Sequence, residues 1–172
     1  MRDVYDYSVS EIAEALDLSE ANVKTTLHRA RKVMDGYDRT RRPPTRELTE
    51  ETRAMLARFL QCFMQQDAKA IEELLAADVQ SIHDSAGEFI AAGIPVTGRE
   101  KVALFYSHIL PKEELRTRFT MLNGQPAVIT ERPDAPKGLA PRWIYTIDLD
   151  AEGKIRRSYA VFATEKLTTI PF

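Results

Sequence analysis

The chain has one cysteine in 172 residues. Cys62 alone can build neither a disulfide framework nor a cysteine-based zinc site, which fits a reducing cytoplasm. Its neighbours Phe59, Leu60, Phe63 and Met64 point to a buried core thiol and not a nucleophile, because free cysteine is commonly buried. Long apolar runs are missing too. Stretches such as Phe59 to Met64 are far too short to span a bilayer, and no signal peptide precedes the first motif. A membrane partner is therefore not expected, and the cytoplasm is the expected location. The histidines, His28, His83 and His108, lack metal-ligand spacing. No Gly-rich phosphate loop and no G-x-S-x-G elbow occur, so neither metal nor cofactor is expected. What remains is 44% hydrophobic and 29% charged, the composition of a soluble globular chain. Its length holds one ordinary domain plus a small one.

The most informative stretch is Tyr7 to Lys32, YSVSEIAEALDLSEANVKTTLHRARK. Ile12, Ala13 and Leu16 mark the inner stripe of one short helix. Leu18 falls in a turn, and Val23, Leu27 and Ala30 mark the inner stripe of a second helix. These offsets let two helices cross over one small core. Ser8 with Glu11 reads as a capping box, and Ser19 can cap the second helix. A helix-turn-helix needs this layout because its second helix must stand proud to enter a major groove. Periodicity alone allows an ordinary helical hairpin as well. Charge separates the two. Asn22 to Arg46 holds eight basic and two acidic residues, net +6, so the rest of the chain carries −8 against the total of −2. A basic helix and tail on an acidic protein is a footprint for phosphate backbone.

At these residues a resemblance becomes specific. Glu11-Ile12-Ala13, then Leu18 to Lys24, then Leu27-His28-Arg29-Ala30-Arg31 closely resemble region 4 of the extracytoplasmic-function sigma factors of bacterial RNA polymerase. Asp17 stands where many helix-turn-helix proteins have Gly, and Asp also tolerates the left-handed backbone. The resemblance implies that Glu20, Asn22, Lys24, Thr25, His28 and Arg29 face promoter DNA near the −35 element. Asn can read adenine, and Arg can read guanine or hold phosphate. It also implies RNA polymerase core as a partner of a form that carries region 2. Nothing here matches region 2, so the chain reads as an N-terminally truncated relative, with Met1 to Tyr5 the tail of a preceding helix. Such a chain is not expected to initiate transcription alone.

Gly36 can end the second helix, and Arg39 to Arg46, with Pro43-Pro44, lacks apolar periodicity. The expected division is a partial region 4 over 1–36, a basic linker over 37–48, and a second domain over 49–172. Thr49 can cap a helix with Met55, Leu56, Phe59, Leu60 and Phe63 inward, and Asp67 opens a short one through Ile71 and Leu74. Strand-like runs lie at Val79–Asp84 and Glu88–Val96. Thr97 to Glu100 reads as a capping box for a helix facing inward through Val102, Leu104, Phe105 and Ile109, with Pro111 after its end. The period then changes to two at 118–122, 125–131, 142–149 and 155–163, with turns at Asn123-Gly124 and Glu152-Gly153. Helices followed by a mostly antiparallel sheet imply an α+β domain with helices on one face. This order, with Phe59 to Asp67, Val96 to Val102 and the hairpin strand from Asp150 to Ala163, resembles the nuclear-transport-factor-2-like cone, in its SnoaL-like branch. A SnoaL-like domain behind region 4 is the layout of one group of these sigma factors. In that group the loop at Asp84 and Gly87 and the tail Glu165-Lys166-Leu167 would be regulatory contacts.

The most enzyme-like pair is His83-Asp84, but neighbours on a strand point to opposite faces. Trp143 and Tyr145 share one face of a strand, and Asp148 lies on the other, so only one set can line a pocket. The resemblance implies that Asp84 or Asp148 occupies the place of a SnoaL-like pocket acid. The leading reading is a DNA-binding transcription factor with a regulatory second domain and no turnover, the aromatic set packing as core or interface. The alternative is a small-molecule-binding or isomerase/cyclase-type protein with a relic N-terminus. Homodimerisation through the exposed sheet face is a third reading.

Overall fold

The computed structural model describes residues 5–40, 44–109 and 114–170. Pro43, Pro111 and Met1 to Val4, to which the sequence reading assigned roles, lie outside them. The chain divides into two compact units, Met1–Pro43 and Pro44–Phe172.

The first unit contains α1 (Val9–Leu16) and α2 (Glu20–Thr40). Ser8 Oγ accepts the Glu11 N–H at 3.2 Å while the Glu11 carboxylate accepts the Ser8 N–H at 2.7 Å, the reciprocal capping box read from the sequence. These bonds hold the Glu11 carboxyl below its ordinary range. Asp17 ends α1 in the left-handed region at φ 52°. Ser19 Oγ then accepts the Asn22 N–H at 3.2 Å and starts α2. Ile12, Ala13 and Val23 form the buried core of this unit, with Val9 against it. That core is narrower than the predicted stripe: Leu16 is exposed, Ala30 is exposed and Leu27 is half-buried. A two-helix crossing buries little more than a turn of each partner.

Two boundaries differ from the sequence reading. Gly36 does not stop α2, which continues to Thr40. A glycine inside a helix costs about 1 kcal/mol relative to alanine but keeps its N–H, so the ladder survives. In the second unit, α3 (Arg46–Met64) is capped by Thr45 and not Thr49. Thr45 is extended, at φ −116° and ψ 161°, and its Oγ1 accepts the Leu48 N–H at 3.1 Å. Helix thus occupies much of the stretch expected as linker.

The second unit continues with α4 (Ala68–Leu74), capped by Asp67, and β1 (Leu75–Asp84). The expected strand at 88–96 reduces to the two-residue β2 (Val96–Thr97); most of 85–95 is loop. Its alternation is broken by Gly93 and Pro95, which weaken and interrupt strand pairing. Then come α5 (Arg99–His108), β3 (Arg116–Leu122), β4 (Gln125–Glu131), β5 (Arg142–Leu149), β6 (Ile155–Val161) and the short α6 (Thr164–Leu167). Gly98, not Thr97, is the N-cap of α5, and no side chain caps it. The inward face of α5 is Val102, Ala103 and Tyr106; Leu104 and Ile109 are exposed. For Leu104 that correction follows the helix repeat, because 102 and 106 share a face and 104 lies across from them, whereas Ile109 lies past the end of the helix.

The strands form one sheet in the order β2-β1-β6-β5-β4-β3, antiparallel except for the β1–β6 pair. Asn123 and Gly124 both take positive φ, 49° and 77°, in the two-residue turn that joins Leu122 to Gln125. This matches the twist of the flanking strands. Alternation splits β5 as predicted. Tyr145 and Ile147 face the main core with Leu56, Phe59, Ile71, Val102 and Ile155. Ile144 turns to the opposite face, where Ala127, Ile129 and Leu167 form a second, smaller core. Helices therefore touch both faces, α6 covering the side expected to be bare. Cys62 is buried in the main core.

Leu56 is fully buried at the centre of that core. Leu56→Ala should destabilise the second unit by about 2–5 kcal/mol through lost burial plus a cavity. Urea unfolding followed by Trp143 fluorescence reads this, and a loss under about 1 kcal/mol would show that α3 contributes little to the core.

Candidate functional site

Two surfaces carry chemistry, one in each unit. In the first, Glu20, Asn22, Lys24, Thr25, His28 and Arg29 are all exposed on α2. At roughly 3.6 residues per turn Asn22, Lys24, Thr25, His28 and Arg29 fall on the arc facing away from buried Val23, and Glu20 lies at its edge, one turn before Val23. Lys24 Nζ lies 3.2 Å from the Glu20 carboxylate, an exposed i,i+4 pair worth little against solvent. Thr25 Oγ1 donates to the Ala21 carbonyl at 2.9 Å, which fixes its rotamer. The structure leaves this face accessible and polar, with its apolar side turned inward.

In the second unit, α3, α5 and the inner sheet face enclose a cavity of about 830 Å³. Its wall includes Phe59, Phe63, His83, Phe105, Tyr106, Arg132, Trp143, Tyr145 and Phe162. Phe59 stacks on Tyr145 at 5.1 Å between centroids and meets Tyr106 edge-on at 5.0 Å. Behind the rings lies a cluster of buried hydroxyls. Tyr106 Oη is 2.6 Å from Ser81 Oγ and 3.0 Å from Ser158 Oγ, and it accepts from Tyr145 Oη at 3.0 Å. Burial pushes both phenols up, Tyr145 well above its ordinary value, so both remain protonated at neutral pH. His83 Nε2 sits 3.3 Å from Ser81 Oγ, while its Nδ1 is buried without a hydrogen-bond partner. Burial lowers the His83 imidazole below its ordinary value, which leaves it neutral near pH 7.

Of the five residues named from the sequence as pocket candidates, His83, Trp143 and Tyr145 line the cavity, and Asp84 and Asp148 do not. Asp148 lies on the other face of β5, where its carboxylate accepts from Tyr159 Oη at 3.1 Å. The aromatic set, expected to pack as core or interface, is also cavity wall. Asp84 turns to the terminal segment: Lys166 donates to its carboxylate, and its carbonyl accepts the Phe162 N–H at 2.7 Å. Gly87 takes φ 77° in the adjoining exposed turn. Glu165 is exposed, whereas Leu167 is buried against Ala127, Ile129 and Ile144. Sequence reasoning missed Tyr106, Ser81, Ser158 and Arg132. The two serines occupy inward positions of paired strands, Ser81 opposite Ser158, a polar break in apolar alternation that was a readable signal. Arg132 sits at the start of a Pro- and Gly-containing loop, where no periodicity marks it.

These features define a class: a helix-turn-helix unit followed by an α+β cone with a walled cavity. Comparison with known proteins narrows it. Residues 1–34 match the family model described as Sigma-70, region 4. The chain is similar in fold to the extracytoplasmic-function sigma factor SigJ of Mycobacterium tuberculosis, at 22% identity and a TM-score of 0.66 over 99% of this chain and 58% of that one. It thus spans a little over half the length of that structure. A de novo designed protein with a curved β-sheet is similar at 17% identity and a TM-score of 0.50, over 70% of this chain and 91% of that one. An NTF-2-like protein of unknown function from Burkholderia xenovorans aligns at 15% identity and a TM-score of 0.49, over 67% of this chain and 85% of that one. No curated protein matches the sequence. Residues 1–34 thus match sigma-70 region 4, and the fold is similar to the part of that extracytoplasmic-function sigma factor which the chain covers. No described helix is long and apolar enough to cross a membrane.

The Asp84–Lys166 pair has a defined pH window. The Lys166 hydrogen bond, the largest cause, lowers the Asp84 carboxyl, and the same bond raises Lys166. Asp84 therefore contributes stability above its unfolded value of about 3.9 and loses it as pH falls through the lowered folded value. Lys166 contributes below about 10.4 and loses it as pH rises through its raised value. In Lys166→Met, the Asp84 carboxyl should titrate upward toward the ordinary range, as read by carboxyl carbon NMR. An unchanged midpoint would mean the pair does not persist in solution.

Proposed function

We propose that the chain is a DNA-binding transcription-initiation factor of the sigma-factor type, with α2 contacting −35 promoter DNA. One observation carries this reading. The segment matching region 4 presents Lys24, Thr25 and Arg29 together on the exposed face of α2. Lys24 and Arg29 would hold phosphates, which position the helix, while Asn22 and Arg29 suit base edges. Glu20 sets the first turn of α2 and shares its charge with Lys24. RNA polymerase core is the protein partner in this reading. The second unit is regulatory, acting through the surface where the Asp84–Gly87 turn meets Glu165 and Lys166. The pairing of Asp84 with Lys166 supports that surface as one element. A catalytic reading would need a pocket acid, and Asp84 and Asp148, its two candidates, lie outside the cavity wall.

Replacing both Lys24 and Arg29 with Ala should weaken binding to a promoter-like duplex by roughly thirtyfold or more, since each such contact is worth about 1–3 kcal/mol and there are two. Wild-type affinity should also fall steeply as salt rises, because neutralised phosphates release counterions. Electrophoretic mobility shift across a salt series measures both. Unchanged affinity in the double variant, or binding indifferent to salt, would remove the proposal.

A further inference from the structure

We propose that the cavity of the second unit is a binding site for an apolar or aromatic molecule bearing a single carboxylate, with Arg132 holding the carboxylate and the aromatic wall holding the body. This site is independent of the DNA-binding reading. Its volume, about 830 Å³, falls in the range of roughly 300–1,000 Å³ usual for small-molecule pockets. Arg132 is the one fully charged side chain among the described lining residues, and no Asp or Glu joins it there. It is only 7% exposed. Its planar guanidinium fork matches a carboxylate. With five N–H donors it can serve a ligand beside any partner within the protein.

Position reinforces charge. The Arg132 guanidinium carbon lies 5.5 Å from the centroid of the Trp143 ring, and the Arg132 N–H donates to the Pro141 carbonyl at 2.7 Å. That bond closes the 132–141 loop at its base. A second bond, from the Ile90 N–H to the Gly138 carbonyl at 2.9 Å, ties the loop to the 85–95 segment. The Arg132 backbone is therefore tied at the loop base, and its guanidinium lies against the Trp143 ring. His83, another lining residue, supplies a buried polar atom without a partner in Nδ1. Tyr106 and Tyr145 use their hydroxyls on each other and on the serines, so they offer ring surface to a ligand. Met64 and Ile90 line the cavity yet are 51% and 76% exposed. Apolar surface left in water at an opening favours an apolar body. A phosphorylated sugar or nucleotide fits poorly, since it brings more charge and polarity than one guanidinium and this lining can satisfy.

Isothermal calorimetry on the full chain tests the site with two acids, 2-naphthoate and octanoate, each against its primary amide. At least one acid should bind about tenfold or more tighter than its amide, the usual scale for hydrogen bonds to a charged group. The acid that binds tells whether the body is planar or aliphatic. Trp143, the one tryptophan of the chain, should change its fluorescence on binding. Arg132→Met should erase the preference for acid while leaving amide affinity as in the wild type, and Arg132→Lys should keep part of it. Equal affinity for acid and amide, no binding of either acid at millimolar concentration, an unmoved Trp143 signal, or a preference that survives in Arg132→Met would each overturn the proposal. Should Arg132→Met fail to fold, the wild-type comparison of acid with amide still decides.

Discussion

Phe59 is the point at which helix, helix and sheet meet in the second unit. Its ring stacks on Tyr145 of β5 and takes Tyr106 of α5 edge-on, so one side chain of α3 fixes the positions of two other elements. Such aromatic pairs add about 0.5–1.5 kcal/mol each beyond the area they bury. The same two tyrosines anchor the hydroxyl cluster with Ser81 and Ser158. Buried hydroxyls are tolerable only when satisfied, and here they satisfy one another across β1, β6, β5 and α5. The crossing thus fixes how far α3 and α5 stand off the sheet, and that standoff is the cavity.

The two units obey different constraints. The first keeps a core of Ile12, Ala13 and Val23, too small to supply much stability by burial. Its order comes from its ends: the Ser8–Glu11 box, the left-handed Asp17 and the Ser19 cap. The polar arc of α2 is left exposed. The second unit has the large core and can hold a cation at 7% exposure, as Arg132 is held. An exposed polar helix face sits on the small unit, and a shaped interior sits on the large one.

What could be read from sequence follows from where the information is local. The capping box, the Asp17 turn, the Asp67 cap and the Asn123-Gly124 hairpin depend on neighbours within four residues, and each stands as read. The split of β5 into Tyr145 and Ile147 on one face and Ile144 on the other depends only on a period of two. Errors arose where local signals competed. Thr49 reads as a cap, but Thr45 Oγ1 accepts the Leu48 N–H and starts the helix a turn earlier. Thr97 carries a capping-box pattern, but β2 claims it and Gly98 becomes the cap. Within α5, choosing Leu104 over Tyr106 for the core followed hydrophobicity where geometry ruled. The cavity was least legible. Its wall comes from α3, α5, five strands of the sheet (β1, β3, β4, β5 and β6) and two loops, and Arg132 reaches it from a loop with no periodicity of its own.

The central claim is that α2 is the nucleic-acid-facing surface. Amide chemical-shift mapping of the full chain against a short duplex at low salt tests it most directly. The account predicts shifts concentrated on the amides from Glu20 to Arg29, reversed by added salt, with the amides around the Phe59 crossing unmoved. Shifts confined to the second unit, or no shifts at all at low salt, would contradict it.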